Sequence, residues 1–132
     1  MVGSGKGRRP PHEGLDWTTY GPAFGDRVRT LRRHRELSQE QLADASGISR
    51  NSIQGIETRH HRGTPTNPRL DTVYRIALAL GVPPEVLLPD GDQLVKRTSS
   101  QKPANTVDDI AWPEQYLPLI NKAAGVRPVS DV

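Results

Sequence analysis

The chain reads as an all-α protein: a compact five-helix domain with a flexible N-terminal arm and a C-terminal extension. Three observations predict this. Phe24, Val28, Leu31 and Arg35 recur at helical spacing. The run from Ser38 to Glu57 carries helix-start residues on both sides of Gly47. Further on, Leu70, Val73, Ile76, Ala77 and Leu80 mark one apolar stripe that ends at Gly81.

Taken in order, residues 1–14 are Gly, Pro and basic residues without periodicity, and read as a flexible basic arm. The domain is expected over 20–90. Its first helix carries Phe24, Val28 and Leu31 on one side, with Arg27, Arg29 and Arg33 on others. Ser38 offers a short side-chain oxygen to start the second helix, and Gln41, three residues on, completes a capping-box pattern. Leu42, Ala43 and Ala45 supply its inner side. Gly47 stops it, because a residue without Cβ takes positive φ at no steric cost. Ile48 turns into the core, Ser49 caps the third helix, and Ile53 and Ile56 give that helix a buried edge. Residues 58–68, TRHHRGTPTNP, lack periodicity, hold two prolines and read as a loop. The fourth helix carries the stripe beginning at Leu70, and Pro83-Pro84 open a short fifth one. Residues 91–105 are polar and read as a linker. The extension over 106–132 holds a second apolar cluster, Ile110, Trp112, Tyr116, Leu117, Leu119 and Ile120, in which Pro118 interrupts any long helix.

Composition excludes several classes. Twelve Pro, twelve Gly and a hydrophobic content of 33% mean that much of the chain is not core. The net charge is +3, and residues 24–90 hold ten basic against eight acidic side chains. Affinity for a polyanion must therefore come from clustering rather than from the total field. With no cysteine there is no disulfide, thiol nucleophile or cysteine-bound zinc. No apolar run approaches the ~20 residues of a membrane span, and the basic start MVGSGKGRRPP is not followed by the apolar stretch of a signal peptide. The expectation is a soluble, cytoplasmic protein with no membrane association. GSGKG at residues 3–7 lacks the spacer, the Ser/Thr after lysine and the preceding strand of a phosphate-binding loop. Adjacent His60 and His61 cannot share a helix face, and no third ligand has metal-site spacing, so no metal is expected. No nucleophile–base pair, carboxylate dyad or cofactor loop is evident. The chain reads as a non-enzyme without cofactors.

Helix, glycine turn, helix is the shape that places a helix in the DNA major groove, and the residues outward on the third helix are small or rich in hydrogen-bonding groups. The match is wider than the shape. Ser38-Gln39, Leu42-Ala43, Gly47-Ile48-Ser49, Ile53, Ile56-Glu57, Asn67-Pro68, Leu70, Val73, Ile76-Ala77, Ala79-Leu80-Gly81-Val82 and Leu87-Leu88 follow one pattern. In these positions the chain resembles the helix-turn-helix domain of the lambda-repressor/Cro-like (XRE) family, over roughly residues 24–89.

The resemblance implies a sequence-specific transcriptional regulator, a repressor by expectation, that binds double-stranded DNA as a homodimer with the helix over 49–58 in the major groove. It implies DNA contacts from Ser49, Arg50, Asn51 and Ser52 at the start of that helix, and from Gln54 and Gly55 one turn later. Arginine pairs bidentately with guanine and asparagine with adenine. Gln39 falls where relatives meet a phosphate beside a helix N-terminus. Arg59 and Arg62 lie in the loop that relatives run along the sugar-phosphate backbone, although this loop is longer than the family norm. Phosphate-binding there would strengthen in acid as His60 and His61 gain charge. Lys6, Arg8 and Arg9 read either as an arm that follows DNA into the minor groove or as a terminus without a role. An ion pair between Arg32 and Glu57 is also implied, fixing the third helix. Two positions depart from the family pattern: Gly55 stands where a long polar side chain is common, and Glu36 where the first helix ends in Gly or Asn. The alternative is an antitoxin-like or interaction protein whose C-terminal tail, around Trp112 and Tyr116, grips a partner protein.

Overall fold

The computed structural model describes residues 14–58 and 66–121, and the described residues contain helices and turns but no strands. Helix α1 spans Trp17–His34, α2 Gln39–Ser46, α3 Arg50–Glu57, α4 Leu70–Leu80 and α5 Pro84–Leu87. Two 3₁₀ turns, Val107–Asp109 and Glu114–Tyr116, lead to a last short helix, α6, at Leu117–Ile120. Among the described residues no helix is long and apolar enough to cross a membrane.

Helix α1 begins earlier than its apolar spacing suggests. Asp16 caps it, with the Thr18 amide 3.1 Å from its carboxylate, whereas Gly21, Pro22 and Gly25 hide the helix from a propensity reading. The core forms where the expected stripes meet. Phe24, Val28 and Leu31 of α1 pack with Leu42 of α2, Ile53 and Ile56 of α3, and Val73, Ile76, Ala77 and Leu80 of α4. Two residues expected inside are outside. Ala45 is exposed on α2. Leu70, at the first position of α4, is 73% exposed because the buried arc of the helix runs through Val73, Ile76 and Ala77.

The turns behave as their residues require. Ser38 and Gln41 make the full capping box, and Gly47 ends α2 at φ 73°. Gly81 ends α4 at the same angle. Glu36 has no such freedom and still takes φ 58°. The turn is closed around it by the Glu36 amide on the Arg33 carbonyl and the Leu37 amide on the Arg32 carbonyl, so a left-handed residue with a Cβ is imposed at a cost of about 1–2 kcal/mol.

Residues 91–105, expected as a linker, lie along α1. The Tyr20 hydroxyl donates to the Lys96 carbonyl at 2.8 Å, the Ser99 amide to Thr19 Oγ1 at 2.9 Å, and Gln101 Nε2 to the Ala23 carbonyl at 3.1 Å. Thr19, Ala23 and Asp26 recur at helical spacing, so one side of α1 holds the part from Lys96 to Ala104, while residues 91–95 stay exposed. The extension then folds back on the domain. Ala104, Val107, Ile110 and Ile120 are buried. Arg35 fastens its end, donating to the carbonyls of Leu119, Ile120 and Leu80 at 2.8, 3.0 and 3.1 Å. Trp112 covers Arg27, whose guanidinium carbon lies 5.0 Å from the ring centroid. Burial there pulls the Arg27 pKa down to about 10, against the attraction of Asp90 and Asp92.

Asp90 follows α5 at φ 59° and is 3% exposed. Burial raises its pKa, but the hydroxyl and amide of Ser100, the Tyr20 hydroxyl and the charge of Lys96 outweigh that and leave it below 3.8. A carboxyl whose folded value is depressed stabilises the fold above its unfolded value and loses that contribution as pH falls through the folded one. Acid unfolding is therefore expected to steepen below pH ~4, and Asp90→Asn, which also tolerates the left-handed backbone, should flatten that part of a stability-against-pH curve. Glu36→Gly is expected to raise stability by about 1 kcal/mol, the left-handed cost less the extra chain entropy of glycine, as read by urea unfolding.

Candidate nucleic-acid interface

Helix α3 presents its outward side because its inward side is fully used. Ile53, Ile56 and Glu57 are buried, while Arg50, Asn51, Ser52 and Gln54 are exposed and Gly55 is half-buried. Ser49 starts the helix in extended backbone and accepts from the Ser52 amide at 3.1 Å, and its hydroxyl donates to Ser52 Oγ at 2.9 Å. Both serines are thus partly engaged with each other. Arg50 and Asn51 extend from the first turn, where the unpaired amides and positive helix end also favour an anion. All four residues expected at the start of the helix, Ser49 to Ser52, are exposed.

The C-terminal end of α3 is clamped. Arg32 Nε and Nη2 meet the two carboxylate oxygens of Glu57 at 2.7 and 2.8 Å, and Arg32 Nη1 donates to the Leu37 carbonyl at 2.7 Å. Gln39 Nε2 reaches the same carboxylate at 3.2 Å. Arg29 Nη1 takes the Glu57 main-chain carbonyl at 3.1 Å. Both partners of the Arg32–Glu57 pair are buried, so the expected ion pair is present with the forked geometry that makes arginine irreplaceable by lysine. Helices α1 and α3 approach so closely that a Cβ on Gly25 would lie 2.1 Å from the Ile56 carbonyl oxygen. Only glycine fits there.

Several of these groups escaped sequence reasoning. Gly25 lies inside the expected first helix, and nothing in its spacing signals the close approach. Arg29 was placed only on another side of the first helix from Phe24, Val28 and Leu31, although Asp26, three residues before it, was a readable partner. Trp17 and Thr66 had no signal at all: Trp17 Nε1 donates to the Thr66 carbonyl, and the Thr66 hydroxyl donates to the Gly55 carbonyl at 3.0 Å. Thr66 therefore returns the loop to both α1 and α3. The expected phosphate contacts Arg59 and Arg62, the histidines beside them, and the N-terminal Lys6, Arg8 and Arg9 lie outside the described residues. Among the described residues no group of His, Asp or Glu is arranged to hold a metal.

The helix-turn-helix family model matches residues 28–87. Over 66 residues the chain is 42% identical to the control protein C.BamHI of Bacillus amyloliquefaciens, covering 49% of this chain and 75% of that protein. The chain belongs to the helix-turn-helix family of lambda-repressor/Cro type. It is also 29% identical over 92 residues to the cryptic phage CTXphi transcriptional repressor RstR of Vibrio cholerae, covering 70% of this chain and 78% of that protein. To the immunity repressor protein of Bacillus phage phi105 it is 30% identical over 87 residues, covering 66% of this chain but only 56% of the repressor. The family region holds α2, α3, α4 and α5 entire. The buried part of the extension beyond residue 104 lies outside it.

In this helix-turn-helix domain the Arg32–Glu57 pair is expected to be the most costly polar contact to break. Arg32→Ala or Glu57→Ala leaves one buried charge uncompensated and should lower unfolding free energy by about 3–5 kcal/mol. The measurement is equilibrium unfolding in urea, and a loss below 1 kcal/mol would contradict the buried pairing.

Proposed function

We propose that the chain is a sequence-specific DNA-binding transcriptional regulator that represses by occupying its operator, with α3 laid in the major groove. The observation that carries this reading is the exposed start of α3, where Arg50 and Asn51 project from a helix clamped at its other end. Fixing the helix matters because base readout depends on placing a guanidinium or carboxamide against two atoms of one base edge. Arg50 suits a guanine and Asn51 an adenine. Ser49, Ser52 and Gln54 add adaptable donors and acceptors, and half-buried Gly55 allows the α3 backbone close to the duplex. Gln39, at the first turn of α2, takes a phosphate through its main-chain amide, its side-chain amide being engaged with Glu57; Arg59 and Arg62 supply further phosphate contacts. RstR and the phi105 protein, both named as repressors, support the direction of regulation.

The regulator works as a homodimer in this reading. Leu70, Tyr74 and Leu78 stand four residues apart on the outer side of α4 and are 73%, 57% and 72% exposed. An apolar stripe of that size suits a second copy better than water. The work is that of a cytoplasmic DNA-binding protein without a catalytic step. A role for residues 106–132 as a partner-gripping tail has less to draw on, because Val107, Ile110 and Ile120 are buried in the domain.

Selection of bound duplexes from a randomised library tests the reading. A two-fold symmetric consensus with half-sites repeating at one helical turn, ~34 Å, is expected. No enrichment over scrambled DNA at moderate salt would sink it. Against the selected site, Arg50→Ala and Asn51→Ala should each lose about 1–3 kcal/mol of discrimination at one base position. Arg59→Ala should instead weaken all sequences alike and flatten the salt slope by about one. Equal weakening from all three would refute the division of roles.

A further inference from the structure

Glu57 is held by two arginines that lead to different parts of the molecule. Arg32 takes its carboxylate and ties α3 to the turn after α1. Arg29 takes its main-chain carbonyl at 3.1 Å, and its other terminal nitrogen, Nη2, donates to Asp26 Oδ1 at 2.8 Å and to the Ala104 carbonyl at 2.7 Å. The Ala104 amide closes the figure by donating to Asp26 Oδ2 at 2.9 Å. Ala104 is fully buried and Asp26 is 2% exposed, so this is an enclosed network rather than a surface ion pair. Ala104 closes the stretch over 91–105, directly before the extension, whose Val107 and Ile110 are buried.

We propose that Arg29 is a positioning residue for base readout, through which the C-terminal extension, held at Ala104, sets the end of the DNA-reading helix. The proposal rests on the reading of α3 as that helix. The guanidinium is planar and its donors are fixed relative to one another. A group that spans the Glu57 carbonyl on one side and Ala104 on the other therefore transmits a shift of either to the other. The last carbonyls of a helix lack internal partners and carry the negative end of its dipole, so a buried cation there fixes the helix end strongly. Arg29 itself does not touch DNA, because its side chain is 12% exposed and turned into the fold. Asp26 holds Arg29 and Ala104 with separate oxygens, which makes it the joint between α1 and the extension.

The full chain is compared with Arg29→Lys, whose single ammonium cannot span both acceptors, and with Asp26→Asn, which keeps one acceptor for Arg29 but turns a donor toward the Ala104 amide, so that this bond is lost. Three quantities are read: thermal unfolding, affinity for the selected duplex and a scrambled one across a salt series, and amide hydrogen exchange of α3 without DNA. Both variants should remain folded at the assay temperature, and the milder Asp26→Asn decides the matter if Arg29→Lys does not fold. The expected result is a roughly tenfold loss for the selected duplex, with scrambled affinity and salt slope unchanged and exchange accelerated at Ile56, Glu57 and Thr58. A parallel loss on both duplexes, or unchanged exchange at those amides in a folded variant, overturns the proposal. If the unsubstituted chain itself selects no sequence, the DNA-reading assignment fails, and the exchange result still decides whether the extension sets the end of α3.

Discussion

The buried fork between Arg32 and Glu57 is the contact on which the rest of the arrangement depends. Two charges taken out of water are tolerable only when each is fully met. Here the guanidinium uses Nε and Nη2 on the carboxylate and Nη1 on the Leu37 carbonyl. One side chain thus fixes α3 against α1 and also fixes the turn from which α2 starts. The missing side chain at Gly25 lets the two helices come close enough for the fork to close. Helix angle, turn and reading surface follow from that single geometry.

A small helical domain has little core to spare, and a unit of some 65 residues is marginal. The extension adds to it. Ala104, Val107, Ile110 and Ile120 contribute apolar burial, and the polar stretch before them is accommodated because its amides and carbonyls find Thr19, Tyr20, Ala23 and Asp26 on one side of α1. Polar composition marked this stretch as solvent-loving. It is better understood as a set of hydrogen-bonding groups that need partners, which a helix side rich in hydroxyls and carboxylate supplies. The same stretch brings Ala104 to Arg29, and so connects the extension to α3.

Much of the helical core was legible in the sequence. Apolar spacing located α3, α4 and the second half of α1, because a 3.6-residue period states which side of a helix is wet. Ser38, Gln41, Gly47, Ser49 and Gly81 marked helix ends through local chemistry, since capping needs only neighbours in sequence. The outward residues of α3 were legible for the same reason: they are what remains once Ile53 and Ile56 face inward. Leu70 and Ala45 misled because an apolar type at the edge of a stripe does not say how wide the buried arc is. The start of α1 was hidden by Gly21, Pro22 and Gly25, which lower helix propensity yet are overridden by packing.

What the sequence determined by itself was therefore local: helix periods, caps, the glycine turn and the chemistry displayed on α3. The tertiary structure decided everything that joins residues far apart in the chain. It matched Arg29 with Ala104, Trp17 with Thr66 and Arg35 with Ile120, and it turned residues 96–104 onto α1. It also forced Glu36 into a left-handed backbone that its own chemistry disfavours. The physical reason is one of range. Caps and periods are set by neighbours along the chain, whereas a buried arginine takes whichever carbonyl or carboxylate the folded core brings within about 3 Å, and the pattern of residue types does not name that partner in advance.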